Sequence, residues 1–384
     1  MLIKKRRNNF LHWLIKPFLS NRGHDHQPDF VLLVCVGLLL FFGMIFLSSA
    51  SSTLGFYKYG DTYKFVKQQI IHGLLPGLFL FYIAIRIKYE RYLGIAWLGL
   101  FGSFLLLILV FFTSLDGEYS AQSWIRLGGF VFQPSELVKL FMIMFLAGWF
   151  SKKGKDIKNL STTIPFVVIL LIISLMIIKQ PDIGTLSIIA LTSLAMYFVA
   201  GASWKHFLTI ISVASLAFVA MVKAAPYRMS RISAWINPDL DPQGIGWQIK
   251  QSLIAIGSGG WFGLGLGASR QKSYLPQPAN DSIFAVISEE IGFIFTLALI
   301  ILFAVLMYRG FQIAKNSDDS FAKLIAIGIT IWVSLQIFIN ISGMLKLMPL
   351  TGVPLPFISL GGTNLVVTLL AMGILANISK YTNR

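Results

Sequence analysis

Long apolar runs separated by polar stretches dominate the chain. Ten of these runs are about as long as a helix that crosses a bilayer, which needs roughly 17–25 apolar residues. Strands of an outer-membrane barrel would instead alternate in hydrophobicity over segments of about ten residues. The pattern therefore predicts an all-α polytopic membrane protein with ten transmembrane helices. The predicted spans are residues 30–49, 67–87, 92–113, 136–150, 162–179, 184–200, 206–223, 282–308, 323–346 and 354–378.

Lys and Arg residues between these runs predict which side of the membrane each connection occupies. Every second short connection is basic, as expected for cytoplasmic loops. With an even number of spans, both termini are predicted to be cytoplasmic, including the basic segment 1–29. We interpret His24 and His26 in that segment as part of a solvated tail rather than a metal site. The basic connections are residues 86–91, 152–158, 205 and 309–323, with Lys380 and Arg384 in the C-terminal tail.

The longest polar interval, residues 224–281, is predicted to lie outside, between the seventh and eighth helices. It contains more Lys and Arg than Asp, against the usual bias of outer loops. Long loops partly escape that bias, which would explain the excess without any function. Alternatively, the basic surface binds an anion, and a pyrophosphate-linked lipid is the candidate at a membrane surface. The residues alone leave both explanations open.

Composition agrees with a membrane protein of one domain. Of the 384 residues, 56% are hydrophobic and 12% are charged, which is too apolar for a soluble domain. The net charge of +16 comes mainly from residues that flank apolar runs, so it indicates topology and contact with anionic lipid rather than nucleic acid. The one cysteine, Cys35, lies in an apolar run and excludes a disulfide framework. No internal boundary divides residues 30–380.

Carboxylates are the candidates for chemistry on the outer side, because the outer loops contain no His or Cys. Ser-His-Asp and Cys-His catalysis are therefore excluded there. Asp281 directly precedes an apolar run, where it would either cap the helix or act as a partly buried base with a raised pKa. Asp239 and Asp241 flank prolines and are typical of turns. Glu289 and Glu290 lie on different helix faces, so at least one is predicted to be a structural partner.

Residues 133–139 form a second polar motif, at the start of the fourth run. Pro134 is typical of a helix N-terminus. Glu136 and Lys139 are three residues apart and face the same side of a helix, so they can pair. Such a pair serves either internal neutralisation or catalysis, and the spacing does not decide between them.

Two further motifs lie at predicted helix ends. Residues 180–185 form a tight outer turn between two spans. Residues 349–363 contain three prolines and a Gly-Gly pair, which interrupt a helix near membrane depth. Irregular backbone is tolerated there only against protein or a water-filled cavity.

These motifs, together with residues 251–292, resemble the SEDS family of FtsW, RodA and SpoVE, over about residues 30–380. The resemblance implies polymerisation of lipid II into glycan strands outside the bacterial cytoplasmic membrane, with inversion and release of undecaprenyl pyrophosphate. It also implies a class B penicillin-binding protein as transpeptidase partner, other divisome proteins, and a place at the division septum. It implies no certain cofactor and leaves a divalent cation open.

The resemblance also assigns roles to residues. The family's essential loop aspartate falls on Asp281, and its functional tryptophan falls on Trp124. Its intramembrane glutamate and lysine fall on Glu136 and Lys139. Cations of the long loop would offset charge on the departing pyrophosphate. The supporting candidates from this loop and from the shared motifs are Arg228, Arg231, Arg270, Lys272, Asp182 and Ser359.

The chain departs from the family pattern around the predicted base. The family usually has His-Thr-Asp-Phe where this chain has residues 279–282, Ala-Asn-Asp-Ser. It usually has Tyr where this chain has Leu360, and Pro-Glu where this chain has Pro-Gln at residues 276–277. Because Asp281 itself is retained, we expect it to keep its role as the base. Its different neighbours should change how strongly the surroundings affect its basicity. Residues 270–276 resemble the division-type members more than the elongation-type members.

Three functions are compatible with this sequence. A glycosyltransferase would concentrate its polar motifs toward the outer face, as this chain does. A lipid II flippase would need a polar pathway joining both faces, and the four charged residues within spans keep this hypothesis open. A scaffold that recruits the transpeptidase would tolerate replacement of Asp281. We predict the glycosyltransferase of cell division, with a role in elongation as the alternative within the family.

Overall fold

The computed structural model describes residues 27–112, 123–127 and 130–383. Most of the predicted basic tail, with His24 and His26, lies outside the described residues. Two short strands, β1 (Ile125–Leu127) and β2 (Phe130–Phe132), form an antiparallel hairpin. The main helices are α1 (Phe30–Tyr59), α2 (Lys64–Arg86), α3 (Tyr92–Val110), α4 (Pro134–Lys153), α5 (Leu160–Lys179), α6 (Ile183–Val199), α7 (Trp204–Lys223), α8 (Pro226–Ile236), α9 (Ile245–Ser258), α10 (Ile283–Lys315), α11 (Ser320–Met344) and α12 (Gly362–Ile378).

Ten of these helices correspond in order to the ten predicted spans. Within the described residues, nine are long and apolar enough to cross a membrane by length and composition. The tenth, α6, is apolar but has 17 residues, and it packs against α4, α5 and α11. The other two helices, α8 and α9, lie in the predicted outer loop. The prediction of a ten-helix all-α membrane protein is confirmed.

Helices α4, α11 and α12 form the buried centre of the bundle. Helix α11 packs against α4 and α6, while α12 packs against α2 and α10 packs against α1. Helix α7 lies at the periphery, where most of its apolar residues are exposed and Val222 is buried. Exposed apolar side chains are expected on the lipid-facing side of such a bundle.

Contacts at one end of the bundle agree with the predicted alternation of loops. Asp29 forms an ion pair with Arg309, and its N–H donates to Ser379 Oγ at 2.9 Å. Lys380 Nζ donates to the carbonyl oxygen of Ile85 at 2.8 Å. Each of these residues belongs to a segment that the sequence places on the cytoplasmic side or at its boundary. The segments predicted to share a side therefore meet at one end of the molecule.

The start of the last span differs from the prediction. The sequence predicted a helix from Pro354, but α12 begins at Gly362. Pro354 and Pro356 lack N–H groups and disfavour a helix, so the preceding chain is irregular. Its polar backbone is satisfied locally, since Ser359 Oγ accepts the N–H of Leu355 at 2.8 Å. The correction moves Ser359 from a helix into a loop that other segments contact.

Helix α10 is broken at Gly292, whose φ is 73° and ψ is −179°. The glycine-rich loop, residues 259–267, fills this break. Two N–H groups of the loop donate to the carbonyl oxygens of residues 289–290, each at 3.0 Å. Two of its carbonyl oxygens accept the N–H groups of residues 293–294, at 2.8 and 3.2 Å. The loop thereby supplies the hydrogen bonds that the helix loses at the break, as a low-dielectric environment requires.

We expect Gly292→Ala to destabilise the protein strongly. A Cβ atom at Gly292 would lie 2.2 Å from the backbone nitrogen of Gly263, and the backbone there has a φ that non-glycine residues rarely adopt. The free energy of unfolding should fall by about 3 kcal/mol. Thermal unfolding in detergent measures this loss against Gly37→Ala, because a Cβ atom at Gly37 meets no atom within 4 Å. Equal melting temperatures of the two variants would contradict the prediction.

Candidate active site

Asp281 lies at the end of the outer loop, directly before α10. The N-terminal cap of α10 is Ser282, so the interpretation of Asp281 as the helix cap is wrong. The residue is 9% exposed, and its Oδ2 accepts a hydrogen bond from Gln248 Nε2 at 3.3 Å. Its Oδ1 is buried and has no hydrogen-bond partner among the described residues. The site therefore contains a buried carboxylate with one oxygen held by Gln248 and the other enclosed by the protein.

Burial raises the pKa of the Asp281 carboxyl above its ordinary value. The hydrogen bond from Gln248, the N–H groups of Asp281 and Ser282, and the positive charge of Arg231 oppose this rise. A carboxylate with a raised pKa is a stronger base than an exposed aspartate. The environment of Asp281 thus suits general-base chemistry.

The backbone of Asp281 is fixed by two other parts of the chain. Asn340 of α11 donates through Nδ2 to the carbonyl oxygens of Asp281 and Val353, each at 2.8 Å. Ser359 Oγ donates to the carbonyl oxygen of Asn280 at 2.6 Å. The irregular segment before α12 and the end of the outer loop are therefore joined around the carboxylate. The side chain of Ser359, a predicted site residue, therefore contacts the backbone of the outer loop next to Asp281.

Helix α2 supports the same irregular segment through Gln69. Gln69 Nε2 donates to the carbonyl oxygen of Ser359 at 3.3 Å, and its Oε1 accepts the N–H of Gly361 at 3.0 Å. Gln69 directly precedes a π-helical turn, Ile70–Leu74, inside α2. Such turns often occur at functional sites because they locally re-orient side chains. Here the turn follows a glutamine that holds the segment lying against Asp281.

Glu136 and Lys139 form an ion pair of 2.8 Å in the centre of the bundle, with 3% and 2% of their side chains exposed. Asn364 Nδ2 donates to Glu136 Oε2 at 2.9 Å. Lys139 Nζ donates to Gln336 Oε1 at 3.3 Å and lies 5.1 Å from the ring centroid of Trp332. Both charges are compensated by each other and by α11 and α12. The geometry favours internal neutralisation over a direct catalytic role.

Asp182 and Trp124 lie in segments that contact each other at the outer end. Asp182 caps α6, and its Oδ2 accepts a hydrogen bond from Gln133 Nε2 at 3.1 Å, immediately before α4. Trp124 is half-buried at the start of the hairpin. Its neighbour Ser123 donates through Oγ to the carbonyl oxygen of Gln180 at 2.9 Å. Asp182 therefore orders the outer connections rather than contacting Asp281.

Two of the predicted cations lie in α8. Arg231 Nη1 donates to the carbonyl oxygen of Leu350 at 3.0 Å, and its charge acts on Asp281. Arg228 Nη1 donates to the carbonyl oxygen of Met221 at 2.9 Å and thereby joins α8 to α7. Arg231 therefore joins α8 to the segment before α12, and its positive charge lowers the pKa of Asp281, whereas Arg228 tethers two helices.

The other two predicted cations follow the glycine-rich loop. Arg270 is exposed. Lys272 is largely buried, with its Nζ 3.8 Å from Glu290 Oε1 and 2.8 Å from the carbonyl oxygen of Gly267. The prediction that Lys272 faces a leaving pyrophosphate does not fit this geometry, because its ammonium group is already paired. Long-range pairing of this kind has no signature in the local sequence.

Glu289 and Glu290 are structural partners, as predicted for at least one of them. Glu290 Oε1 accepts a hydrogen bond from Ser49 Oγ of α1 at 2.5 Å. Glu289 Oε2 accepts from Ser269 Oγ at 2.5 Å, and its Oε1 accepts the N–H of Arg270 at 3.1 Å. These carboxylates fix the outer loop to the bundle and do not line a cavity with Asp281.

Several residues of the site were not predicted from the sequence, because the predicted site residues were mainly charged. All are amides that lie in or beside apolar helices, where a buried polar group requires a partner. The need for such a partner is the signal by which these amides could have been predicted as site residues. The missed residues are Gln69, Gln248, Gln336, Asn340 and Asn364. No group of three or more His, Cys, Asp or Glu side chains that could hold a metal ion occurs in the described part of the chain.

Solved structures share this architecture. A chain from a peptidoglycan synthase complex, described as coordinating polymerization and crosslinking, superposes with a TM-score of 0.76 at 24% identity, covering 92% of this chain and 97% of that chain. The rod shape determining protein RodA of Thermus thermophilus gives a TM-score of 0.67 at 24% identity, with coverages of 93% and 98%. At these identities the likeness establishes the fold alone.

Relatives found by sequence have a higher identity to this chain than these solved structures have. Stage V sporulation protein E of Bacillus subtilis is 40% identical over 359 residues, which cover 93% of this chain and 98% of that protein. A probable peptidoglycan glycosyltransferase FtsW of Trichlorobacter lovleyi is 40% identical over 356 residues, covering 92% and 93%. Residues 29–384 match the family described as cell cycle protein, which comprises FtsW, RodA and SpoVE. The chain therefore belongs to the FtsW/RodA/SpoVE family of cell cycle proteins.

Proposed function

We propose that this membrane protein is a peptidoglycan glycosyltransferase that polymerises lipid II at the outer face of the bacterial cytoplasmic membrane. Relatives named as probable peptidoglycan glycosyltransferases are 37–40% identical to it over at least nine tenths of their length. The observation that carries the proposal is the buried carboxylate of Asp281, with its raised pKa and its unpartnered Oδ1. A glycosyl acceptor needs such a base to lose its hydroxyl proton.

In the proposed reaction, Asp281 accepts the proton of the acceptor sugar hydroxyl. The hydroxyl oxygen attacks the anomeric carbon of the donor sugar as the bond to undecaprenyl pyrophosphate breaks, which inverts that carbon. The leaving pyrophosphate departs with the bonding electron pair, and a nearby cation stabilises its charge. Arg231 is the candidate for this role, since its charge already acts at Asp281. Arg270 is a second candidate because its side chain is exposed.

We place the activity in cell division, with a class B penicillin-binding protein as the transpeptidase partner and the septum as the location. Support comes from the relatives, which carry the names FtsW and stage V sporulation protein E. Residues 270–276 also resemble division-type members. An elongation role would require the transpeptidase of the elongation machinery instead. Copurification with each of the two transpeptidases distinguishes these assignments.

The geometry favours an enzyme over a lipid II flippase. A transporter would use intramembrane charges along a polar pathway, whereas Glu136 and Lys139 are paired and enclosed by α11 and α12. The carboxylates of residues 289–290 are likewise engaged by the outer loop and α1. These charges stabilise packing, whereas Asp281 Oδ1 has no hydrogen-bond partner among the described residues.

The test uses the purified protein in complex with its cognate transpeptidase and fluorescent lipid II. A ladder of glycan products on a gel, absent when lipid II is omitted, is the expected result. A parallel assay measures lipid II movement across vesicles that contain the protein. Movement without polymer would establish a transporter and overturn the proposal. A stable complex that gives neither polymer nor movement would indicate a scaffold.

A further inference from the structure

Helix α9 of the outer loop carries a side chain that reaches the site from outside the ten spans. Gln248 Nε2 donates to Asp281 Oδ2 at 3.3 Å and to Ser282 Oγ at 3.0 Å. We propose that Gln248 is a positioning residue, which holds one carboxylate oxygen of Asp281 and so fixes the orientation of the catalytic carboxylate. The inference rests on the proposed glycosyltransferase function.

The two oxygens of Asp281 differ because of this contact. Oδ2 is held by Gln248, while Oδ1 is buried and has no partner in the described part of the chain. A buried carboxylate oxygen without a partner in the protein is costly, so it needs a water or another ligand to satisfy it. The hydrogen bond to Oδ2 restricts rotation of the carboxylate. Oδ1 is therefore kept in one orientation.

Ser282 is a second neighbour of the Gln248 amide. Its side chain is fully buried, and its Oγ lies beside the same amide nitrogen as Asp281 Oδ2. An ionised carboxylate only accepts hydrogen bonds, so the amide presents its NH2 group to Asp281, and the Ser282 hydroxyl, which can donate or accept, accepts from the same NH2 group. The Ser282 hydroxyl therefore gives the Gln248 amide a second contact beside Asp281.

The position of Gln248 depends on how α9 is held. Asp241 accepts the N–H groups of Gly244 at 3.0 Å and Ile245 at 2.7 Å, which fixes the start of α9 and confirms the turn role predicted for Asp241. Trp247 Nε1 donates to the carbonyl oxygen of Tyr274 at 3.1 Å. The helix therefore rests on outer-loop contacts. A movement of α9 would displace Gln248 from Asp281 without moving the spans.

The groups around Asp281 define the expected pH effect. Gln248 from α9 and Asn340 from α11 are neutral, and Arg231 from α8 is the charged group that acts on the carboxyl. Gln248 stabilises the ionised form, so its loss should raise the pKa of Asp281. A general base works when ionised, so its activity falls as the pH falls through its pKa. Loss of the amide donor should therefore move the acid limb of the pH–rate profile to higher pH.

The experiment compares Gln248→Met, which keeps the length without the donor, with Gln248→Glu, which places a second carboxylate beside Asp281. Polymerisation by the complex is measured as a function of pH. We expect the acid limb to move up by about one pH unit in the Met variant, and further in the Glu variant. Rates on the acid limb should fall about tenfold further than rates at high pH, where Asp281 is ionised in every variant. Gln243→Met, at an exposed glutamine of the same loop, is the matched control.

An unmoved acid limb in both variants, with rates lowered equally at every pH, would overturn the proposal and leave Gln248 a structural residue. Infrared spectroscopy provides a readout that does not depend on activity. The C=O band of protonated Asp281, identified by its absence in Asp281→Asn, should titrate at higher pH in Gln248→Met than in the wild type. An unchanged midpoint would also overturn the proposal, whereas absence of polymer from the wild type would count only against the glycosyltransferase function.

If Gln248→Met does not fold, Gln248→Asn tests the same inference. The side chain is one methylene shorter, so its NH2 group is withdrawn from Asp281 Oδ2, which is already 3.3 Å from Nε2 in the wild type. The infrared midpoint of Asp281 should then rise, although an amide is retained. An unchanged midpoint would overturn the proposal.

Discussion

Asp281→Asn should abolish glycan polymerisation while leaving the protein folded. The amide keeps the shape of the carboxyl group and an oxygen that can accept the hydrogen bond of Gln248. It cannot take the proton of an acceptor hydroxyl, so the contribution of the general base, roughly 10²–10⁴-fold in rate, is lost. The initial rate of product formation on a gel, with equal amounts of folded complex, measures the effect.

The matched control for this variant is Asp239→Asn. Asp239 is a carboxylate of the same loop, but its side chain is exposed and pairs with Lys250. We expect it to retain wild-type polymerisation, since an exposed turn residue has no contact with the site. Polymer from Asp281→Asn at the wild-type rate would remove Asp281 as the base and keep the enzyme. Melting temperature and copurification with the transpeptidase exclude misfolding as the cause of a loss.

The ten spans could be predicted because hydropathy is a local property of the chain. Pro134 marked the start of α4 correctly, and the basic loops predicted which segments meet at one end of the bundle. Hydropathy alone placed the start of the last span too early, at Pro354, whereas the prolines of residues 349–363 correctly predicted an interrupted helix there. An apolar segment that is buried by protein need not be helical.

The organisation around Asp281 could not be predicted, because it depends on contacts between distant segments. Gln69, Asn340 and Gln248 come from three different helices, and each meets its partner only in the folded chain. Resemblance identified the carboxylate but not the amides that hold it. For the same reason, Lys272 appeared to be a free cation in the sequence, although the fold pairs it with Glu290.

The alternatives left open for Glu136 and Lys139 can be separated by stability. Lys139→Met should lower the free energy of unfolding by about 3–5 kcal/mol, because it leaves Glu136 buried without its counter-charge. The double variant Glu136→Gln with Lys139→Met should recover most of this loss, since no unpaired charge remains in the bundle. Thermal unfolding in detergent measures both changes. Lys67→Met removes an exposed ion pair with Asp61 and should have little effect.

The polymerisation activity of the same variants shows whether the ion pair takes part in the reaction. If the Glu136–Lys139 pair only neutralises charge within the bundle, the double variant should polymerise lipid II at a rate close to wild type once it is folded. A stable double variant without polymer would instead assign the pair a direct part in the reaction. Such a result would extend the active site from the outer loop, where Asp281 lies, to the contact between α4, α11 and α12. Recovery of both stability and activity would confine the chemistry to the outer face.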